Sequence, residues 1–351
     1  MFEANVEWLS VQFVTSAVLP VLGAVLLTAT AYDLVRTVFD VGQGGGPITG
    51  RASKLLWQGV LALRARGVSH RTVERLGLAV VISVVGTWLV AIWMGWTLVL
   101  SGDPDAVVET GTSRPATFWE RAYFAVTSQF VLGNGEFQGG TTGWRFVVGA
   151  TSVTGLLVVT LSITYLLPII DAASDRRRLA GTIFALGDTP QEIVLSVWNG
   201  SNVAELHDHL TTLLPSLTSM GQRHLAYPVL HFFHSSSRRT AIAPALAALD
   251  EALGIIRYGL EATERESSSF TAVRRAIGEF LPTLQLFPIG DEVPPTPRLD
   301  RLRACGVPMR QDEEFASSLE ADSRRRCLLL ATVREDGWEW GDVIGDDDQL
   351  R

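Results

Sequence analysis

Three stretches of this chain contain no charged side chain: residues 8–32, 76–102 and 146–170, which are 25, 27 and 25 residues long. A helix needs about 20 apolar residues to cross the hydrocarbon core of a bilayer. Each stretch is therefore long enough to span, and a fully soluble fold is excluded. The run 209–222 in the second half is too short and too polar to do the same. Residues 1–170 hold 10 acids and 10 bases and net zero, whereas residues 171–351 hold 27 acids and 19 bases and carry the whole formal charge of −8. The two halves are built for different solvents. An acidic exposed half also argues against nucleic acid as a partner. Glu3 and Glu7 precede the first stretch where a secretory signal would carry positive charge, so that stretch reads as a span rather than a cleaved leader.

Basic residues in short loops set orientation. The 33–75 connection carries Arg36, Arg51, Lys54, Arg64, Arg66, Arg71 and Arg75, and Arg176, Arg177 and Arg178 follow the third span. Both are predicted to face the cytoplasm. The 101–121 connection holds Asp103, Asp105 and Glu109 against Arg114 and Arg121, and is predicted to face outward. The expected protein is a multi-pass plasma-membrane protein with its amino terminus outside and its carboxy terminus inside. Trp8, Trp93 and Trp96 fit an interfacial aromatic belt. Within the first connection, VGQGGGPITG at 41–50 reads as a glycine-rich break. The basic helical pattern after it, with Leu55, Leu56, Val60 and Leu63, reads either as an amphipathic helix on the inner membrane surface or as a plain connector.

Between Arg121 and Glu136 lies a further uncharged segment, AYFAVTSQFVLGNG, of 14 residues. It is too short to cross and too apolar for water, so it reads as a re-entrant element. Gly133-Asn134-Gly135 does not favour continuing a helix, and non-helical backbone at membrane depth survives only inside protein or along a water-filled path.

In this layout the chain resembles the potassium-channel superfamily, in the form with an outer helix, a pore loop and an inner helix. The family's filter signature, Thr-Val-Gly-Tyr-Gly followed by Asp, matches Val131-Leu132-Gly133-Asn134-Gly135-Glu136 in its two glycines and its trailing acid. The resemblance covers about residues 75–170. It implies an outer helix at 76–102, a pore helix at 118–130, a filter at 131–135 and an inner helix at 144–170. It also implies a gating hinge at Gly155, with Pro168 ending or bending the inner helix near the cytoplasmic surface. Filter carbonyls would replace the hydration shell of a permeating ion. Three residues depart from the family pattern: Val131 in place of the filter threonine, Phe130 in place of a second threonine, and Asn134 in place of the bracing aromatic. The implied activity is therefore conduction of monovalent cations, K+ and also Na+, through a homotetramer, with no cofactor beyond the permeant ions. Thr154, Ser162 and Thr164 are candidates for a wet pore wall, or else bond to their own helix backbone. The alternative is a non-conducting receptor or scaffold that keeps the channel fold and signals through its cytoplasmic half.

The organisation expected is all-α: a first span in 1–40, a connection in 41–74, the pore unit in 75–170 and a helical cytoplasmic domain in 171–351. In that domain Thr189-Pro190-Gln191-Glu192 is a helix start. Further helices are predicted at about 202–214, 217–234, 240–262, 269–281 and 312–333, with a proline-rich linker at 286–300. No dinucleotide-binding glycine motif and no hydrolase spacing is present, so the chain reads as a non-enzyme. Cys305 and Cys327 are isolated and read as reduced thiols. His207, His209, His224, His231 and His234 cluster in sequence, with His231 and His234 three apart on one predicted helix face. They read as a metal or proton-sensing site for a regulatory ligand, or as ordinary surface and part-buried histidines.

Overall fold

The computed structural model describes residues 14–39, 46–51, 70–133, 135–261, 267–284 and 290–345. Of the predicted connecting helix beyond Arg51, residues 52–69 lie outside them, as does Asn134. The chain divides into two compact units, one of residues 1–59 and 79–168, the other of residues 60–78 and 169–351. The described elements are helical apart from one two-stranded ribbon.

Among the described residues, three helical segments are long and apolar enough to cross a membrane: Ser16–Phe39, Ala79–Leu100 and Thr142–Phe184. They include α1 (Leu19–Phe39), most of α2 (His70–Leu100) and α4 (Thr142–Phe184). Helices in lipid gain little from apolar burial and associate through close backbone approach at small residues. Here a Cβ on Gly23 of α1 would lie 2.6 Å from the Gly95 carbonyl oxygen of α2, and one on Gly95 would lie 2.7 Å from Leu27. These two glycines let α1 and α2 touch.

Between α2 and α4 the chain forms a loop, strand β1 (Val108–Glu109), the short helix α3 (Phe118–Gln129) and strand β2 (Phe137–Gln138), which pairs antiparallel with β1. Leu100, Ala106, Val107, Ala116, Phe124, Ala125 and Phe137 form a small core around this excursion.

The inner helix was expected to end near 170, with Pro168 ending or bending it. Instead α4 runs on to Phe184, with Pro168 inside it. Proline removes one backbone donor and disfavours the turn before it. Apolar sequence on both sides of it, with Ile169 and Ala172 buried beyond, holds the helix through that loss.

The second unit packs α5 (Pro190–Val197), α6 (Leu206–Ala226), α8 (Ser268–Leu284), α10 (Asp312–Leu319), α11 (Ser323–Glu335) and α12 (Gly341–Ile344) in one core around α7 (Ile242–Gly259). A short α9 (Asp300–Ala304) precedes α10. Every residue of α7 from Ile242 to Ile255 is buried, as a central helix requires. Two boundaries differ from expectation. The predicted helices 202–214 and 217–234 are one helix, α6, followed by a 3₁₀ turn at Pro228–Phe232. The predicted helix 312–333 is split by a 3₁₀ turn at Glu320–Asp322. Pro215 is tolerated within α6 on an exposed position, where water can reach the carbonyl it leaves unbonded.

Candidate functional site

The short helix α3 begins in a capping box: Glu120 N–H donates to Thr117 Oγ1 at 3.4 Å, and Thr117 N–H donates to Glu120 Oε2 at 2.7 Å. Arg114 bridges Glu120 and Glu109, and its hydrogen bonds, together with the Thr117 N–H, pull the Glu120 carboxyl down to about 2. Arg121 lies buried beneath this end. It donates to the carbonyls of Ala116 at 2.9 Å, Leu100 at 2.8 Å and Pro104 at 3.3 Å, so one guanidinium ties the start of α3 to the end of α2.

The body and the far end of α3 are held from both sides. Trp93 Nε1 of α2 donates to the Ala122 carbonyl at 2.8 Å, and Gln129 Nε2 donates to the Leu89 carbonyl at 3.2 Å. From α4, Ser152 Oγ donates to the Ser128 carbonyl at 2.9 Å. Trp93 is therefore bonded inside the unit, and so is Trp96, whose Nε1 donates to Thr154 Oγ1 at 2.8 Å. Both rings stay half-buried, so these bonds hold them in place and leave the interfacial belt expected from sequence open.

Gly155 packs at the same place. A Cβ there would come within 2.1 Å of the Gln129 carbonyl oxygen, so only glycine lets α4 approach the end of α3. Thr154 and Thr164 donate to carbonyls of their own helix, and Ser162 is buried.

After Gln129 the backbone reverses. Val131 N–H donates to the Ser128 carbonyl at 3.1 Å, and Leu132 N–H donates to the Thr127 carbonyl at 2.9 Å. This is the paired bonding of a helix C-cap that normally carries glycine in the left-handed position. Here that position is Val131, at φ 55°. A β-branched residue in that region is an outlier costing on the order of 1–3 kcal/mol, of the kind concentrated at functional sites. Gly133 is also left-handed, at φ 78°. Val131 and Leu132 expose 65% and 71% of their surface, and Gly135 and Glu136 are exposed too. Beyond the loop, Thr110 N–H donates to the Glu136 carbonyl at 2.7 Å and joins the β1–β2 ribbon.

The five histidines do not form one site. His224 and His231 meet Nε2 to Nε2 at 3.1 Å, His234 Nδ1 lies 2.9 Å from Asp336 Oδ1, and His207 Nδ1 lies 2.8 Å from Ser269 Oγ. His209 is exposed. Among the described residues no group of three or more metal-ligating side chains is arranged to hold a metal. The expected shared face of His231 and His234 fails because a 3₁₀ turn beginning at Pro228 replaces the helix. Burial, then the neighbouring His231 and Arg176, pushes His224 down to about 2. Burial, then Arg176 and His234, pushes His231 to about 4. Both are therefore neutral between pH 6 and 8, which removes them as sensors in that range. Asp336 opposes burial through its hydrogen bond to His234 and titrates below the usual aspartate range.

These shifts set an acid limit on stability. The unfolded chain protonates both imidazoles near pH 6.5, whereas the folded chain resists until about 4 at His231 and about 2 at His224. Their contribution is complete above pH 6.5 and is lost as pH falls, at up to about 1.4 kcal/mol per pH unit for each histidine. Thermal midpoints between pH 7.5 and 4.5 should fall along this slope, and less steeply in His224→Leu. Equal slopes in both proteins would contradict the assignment.

In Bacillus subtilis (strain 168), the uncharacterized membrane protein YdjJ is 30% identical to this chain over 323 residues, covering 91% of the chain and 94% of the relative. The chain belongs to the YdjJ family of membrane proteins. It is an all-α membrane protein. No family model matches it, and no solved structure does.

One further polar cluster of this YdjJ-family protein escaped the sequence reading. Asp33 of α1 is fully buried and accepts from Ile48 N–H at 2.6 Å, Thr49 N–H at 3.2 Å and Trp88 Nε1 of α2 at 2.9 Å. It caps the helical turn 47–51, whose first residue is proline. Gly46 sits so close that a Cβ would lie 2.2 Å from Asp33 Oδ1. Trp88 in turn stacks edge-on against Tyr165 of α4 at 5.6 Å. The signals were an aspartate bordering the first apolar stretch and a tryptophan in the middle of the second.

Proposed function

We propose that this protein is a pore-loop cation channel of the plasma membrane, assembled as a homotetramer, with its amino terminus outside and its carboxy terminus cytoplasmic. The observation that carries the reading is the end of α3. The capped helix α3, held between α2 and α4, stops in a strained left-handed turn at Val131, and Leu132, Gly133, Gly135 and Glu136 after it are exposed. Strain and apolar exposure together persist where surrounding structure fixes them. Four copies meeting on an axis would cover Val131 and Leu132 and bring four loops to one path. One chain contributes one loop, and a filter of this type needs four. Glu136 at the exposed end of the loop would raise the local cation concentration. The basic 33–75 connection and the acidic 101–121 connection support the orientation.

Ions would bind in turn to loop carbonyls, with α4 as the gate and the helical unit as its regulator. Because Val131 supplies no hydroxyl and Asn134 no aromatic brace, potassium over sodium discrimination should be weak. Reversal potentials under bi-ionic conditions test this: the wild type should lie within about a factor of ten in permeability ratio, or about 1.4 kcal/mol. Val131→Thr combined with Asn134→Tyr should move the reversal toward potassium. A wild type already strongly potassium-selective would contradict it.

A further inference from the structure

A cleft of about 320 Å³ opens within the second unit, between the last turns of α4 and the middle of α6. Its size lies at the lower end of small-molecule sites. Ser216, Ser219 and Arg223 line it from α6 at spacings of three and four, and so share one helix face. Asp175, Arg176 and Arg178 line it from α4, and the buried side chains of Leu179 and Met220 form an apolar floor.

Three arginines against one aspartate give this lining a net charge of +2 (3 − 1), in the half of the chain that carries the whole net charge of −8. The single carboxylate, Asp175, is gripped by Arg178 from its own helix and by Arg223 from the facing one. Arg176 is buried, donates to the Leu230 carbonyl at 2.6 Å and is offset by Asp336 outside the cleft. Arg178 and Arg223 therefore share one negative charge between two exposed forks, 75% and 40% accessible at the side chain. Guanidinium forks match the paired oxygens of phosphate better than any other side chain does.

We propose that this cleft binds a phosphate-bearing anion, whose phosphate takes the place of Asp175 between Arg178 and Arg223 and accepts hydrogen bonds from Ser216 and Ser219. Arg178, the last residue of a run that the sequence offers only as an orientation signal, thereby gains a ligand. The phosphate can belong to a soluble compound or to a lipid headgroup, and the chemistry of the cleft serves both.

The test uses the full-length protein, with thermal midpoint and equilibrium binding as readouts. Inorganic phosphate is titrated in neutral detergent at constant ionic strength against chloride, and phosphatidylglycerol nanodiscs are compared with phosphatidylcholine nanodiscs. A saturable rise of the midpoint with inorganic phosphate assigns the site to soluble phosphates, and a rise confined to phosphatidylglycerol assigns it to a headgroup. In either case Arg223→Gln should weaken binding at least tenfold, and Asp175→Asn, which removes the competing carboxylate, should tighten it several-fold. Those opposite signs separate a binding role from a structural one. No saturable response to either probe, or an unchanged response in Arg223→Gln, would overturn the proposal. The readout does not involve current, so a protein that binds phosphate but passes no ions would retract the channel reading alone.

Discussion

Gly155→Ala is expected to destabilise the membrane unit by about 2–3 kcal/mol, although alanine is the better helix former by about 1 kcal/mol. The added methyl would lie 2.1 Å from the Gln129 carbonyl oxygen and 2.7 Å from Gln129 Cγ. Part of that neighbour is backbone, at the last residue of α3, so it yields only by moving the strained turn at Val131. Gly149 in the same helix provides the control, because a Cβ there meets nothing within 4 Å. Gly149→Ala should be neutral or slightly stabilising. Unfolding midpoints of the two variants in the same detergent decide the matter, and equal midpoints would show that the close approach of α4 to α3 is absent. The resemblance to potassium channels assigns a hinge to Gly155. The packing adds a second demand for glycine at that position, and a hinge alone would tolerate alanine far better.

Arg326→Met should cost the second unit about 3–5 kcal/mol, because it strands a buried carboxylate. Arg326 of α11 is 4% exposed and Glu251 of α7 is 3% exposed. They pair through two hydrogen bonds, of 2.7 and 3.1 Å, and Arg326 gives a further one to the Pro295 carbonyl at 2.7 Å. Burial already raises the Glu251 carboxyl above its usual range against the pull of Arg326. Without the arginine it would fold only protonated. The loss should therefore be smaller at pH 5 than at pH 8, the reverse of the histidine effect. Adding Glu251→Leu should recover most of the stability, since an apolar pair replaces the ionic one at little net cost. Full-length melts of the three proteins at both pH values check this. A single variant as stable as the wild type at pH 8 would contradict the buried pairing.

Much of the membrane half was legible in sequence because its signal is local. A charge-free run marks a candidate span by length alone, and a helix expected at 118–130 is found at Phe118–Gln129. The turn that follows it was legible only in part. Gly133 announces a left-handed residue, but nothing in the sequence marks Val131 as another. That conformation accompanies the hydrogen bonds that Val131 and Leu132 give back to the Ser128 and Thr127 carbonyls at the end of α3. Asp33 carries no local signal for a similar reason: its partners at Ile48, Thr49 and Trp88 are distant in sequence, and only the folded chain brings them together.

In the second unit, helices were legible and their joints were not. Pro215 looks like a break in sequence but sits where water can satisfy the exposed backbone, so α6 continues. The histidine spacing assumed a helix through 234, and the turn at Pro228 sends His231 to His224 and His234 to Asp336 instead. The residues that line the phosphate-type cleft come from two segments about 40 positions apart, each ordinary by itself. Their shared face emerges only when α4 runs past Pro168 as a helix.

Single-channel recording of the purified protein in a planar bilayer tests the central claim most directly. The expected result is discrete, cation-selective current steps from particles of four chains, with reversal potentials that separate potassium from sodium only weakly. Silent bilayers from intact tetramers, or particles of one or two chains, would contradict it.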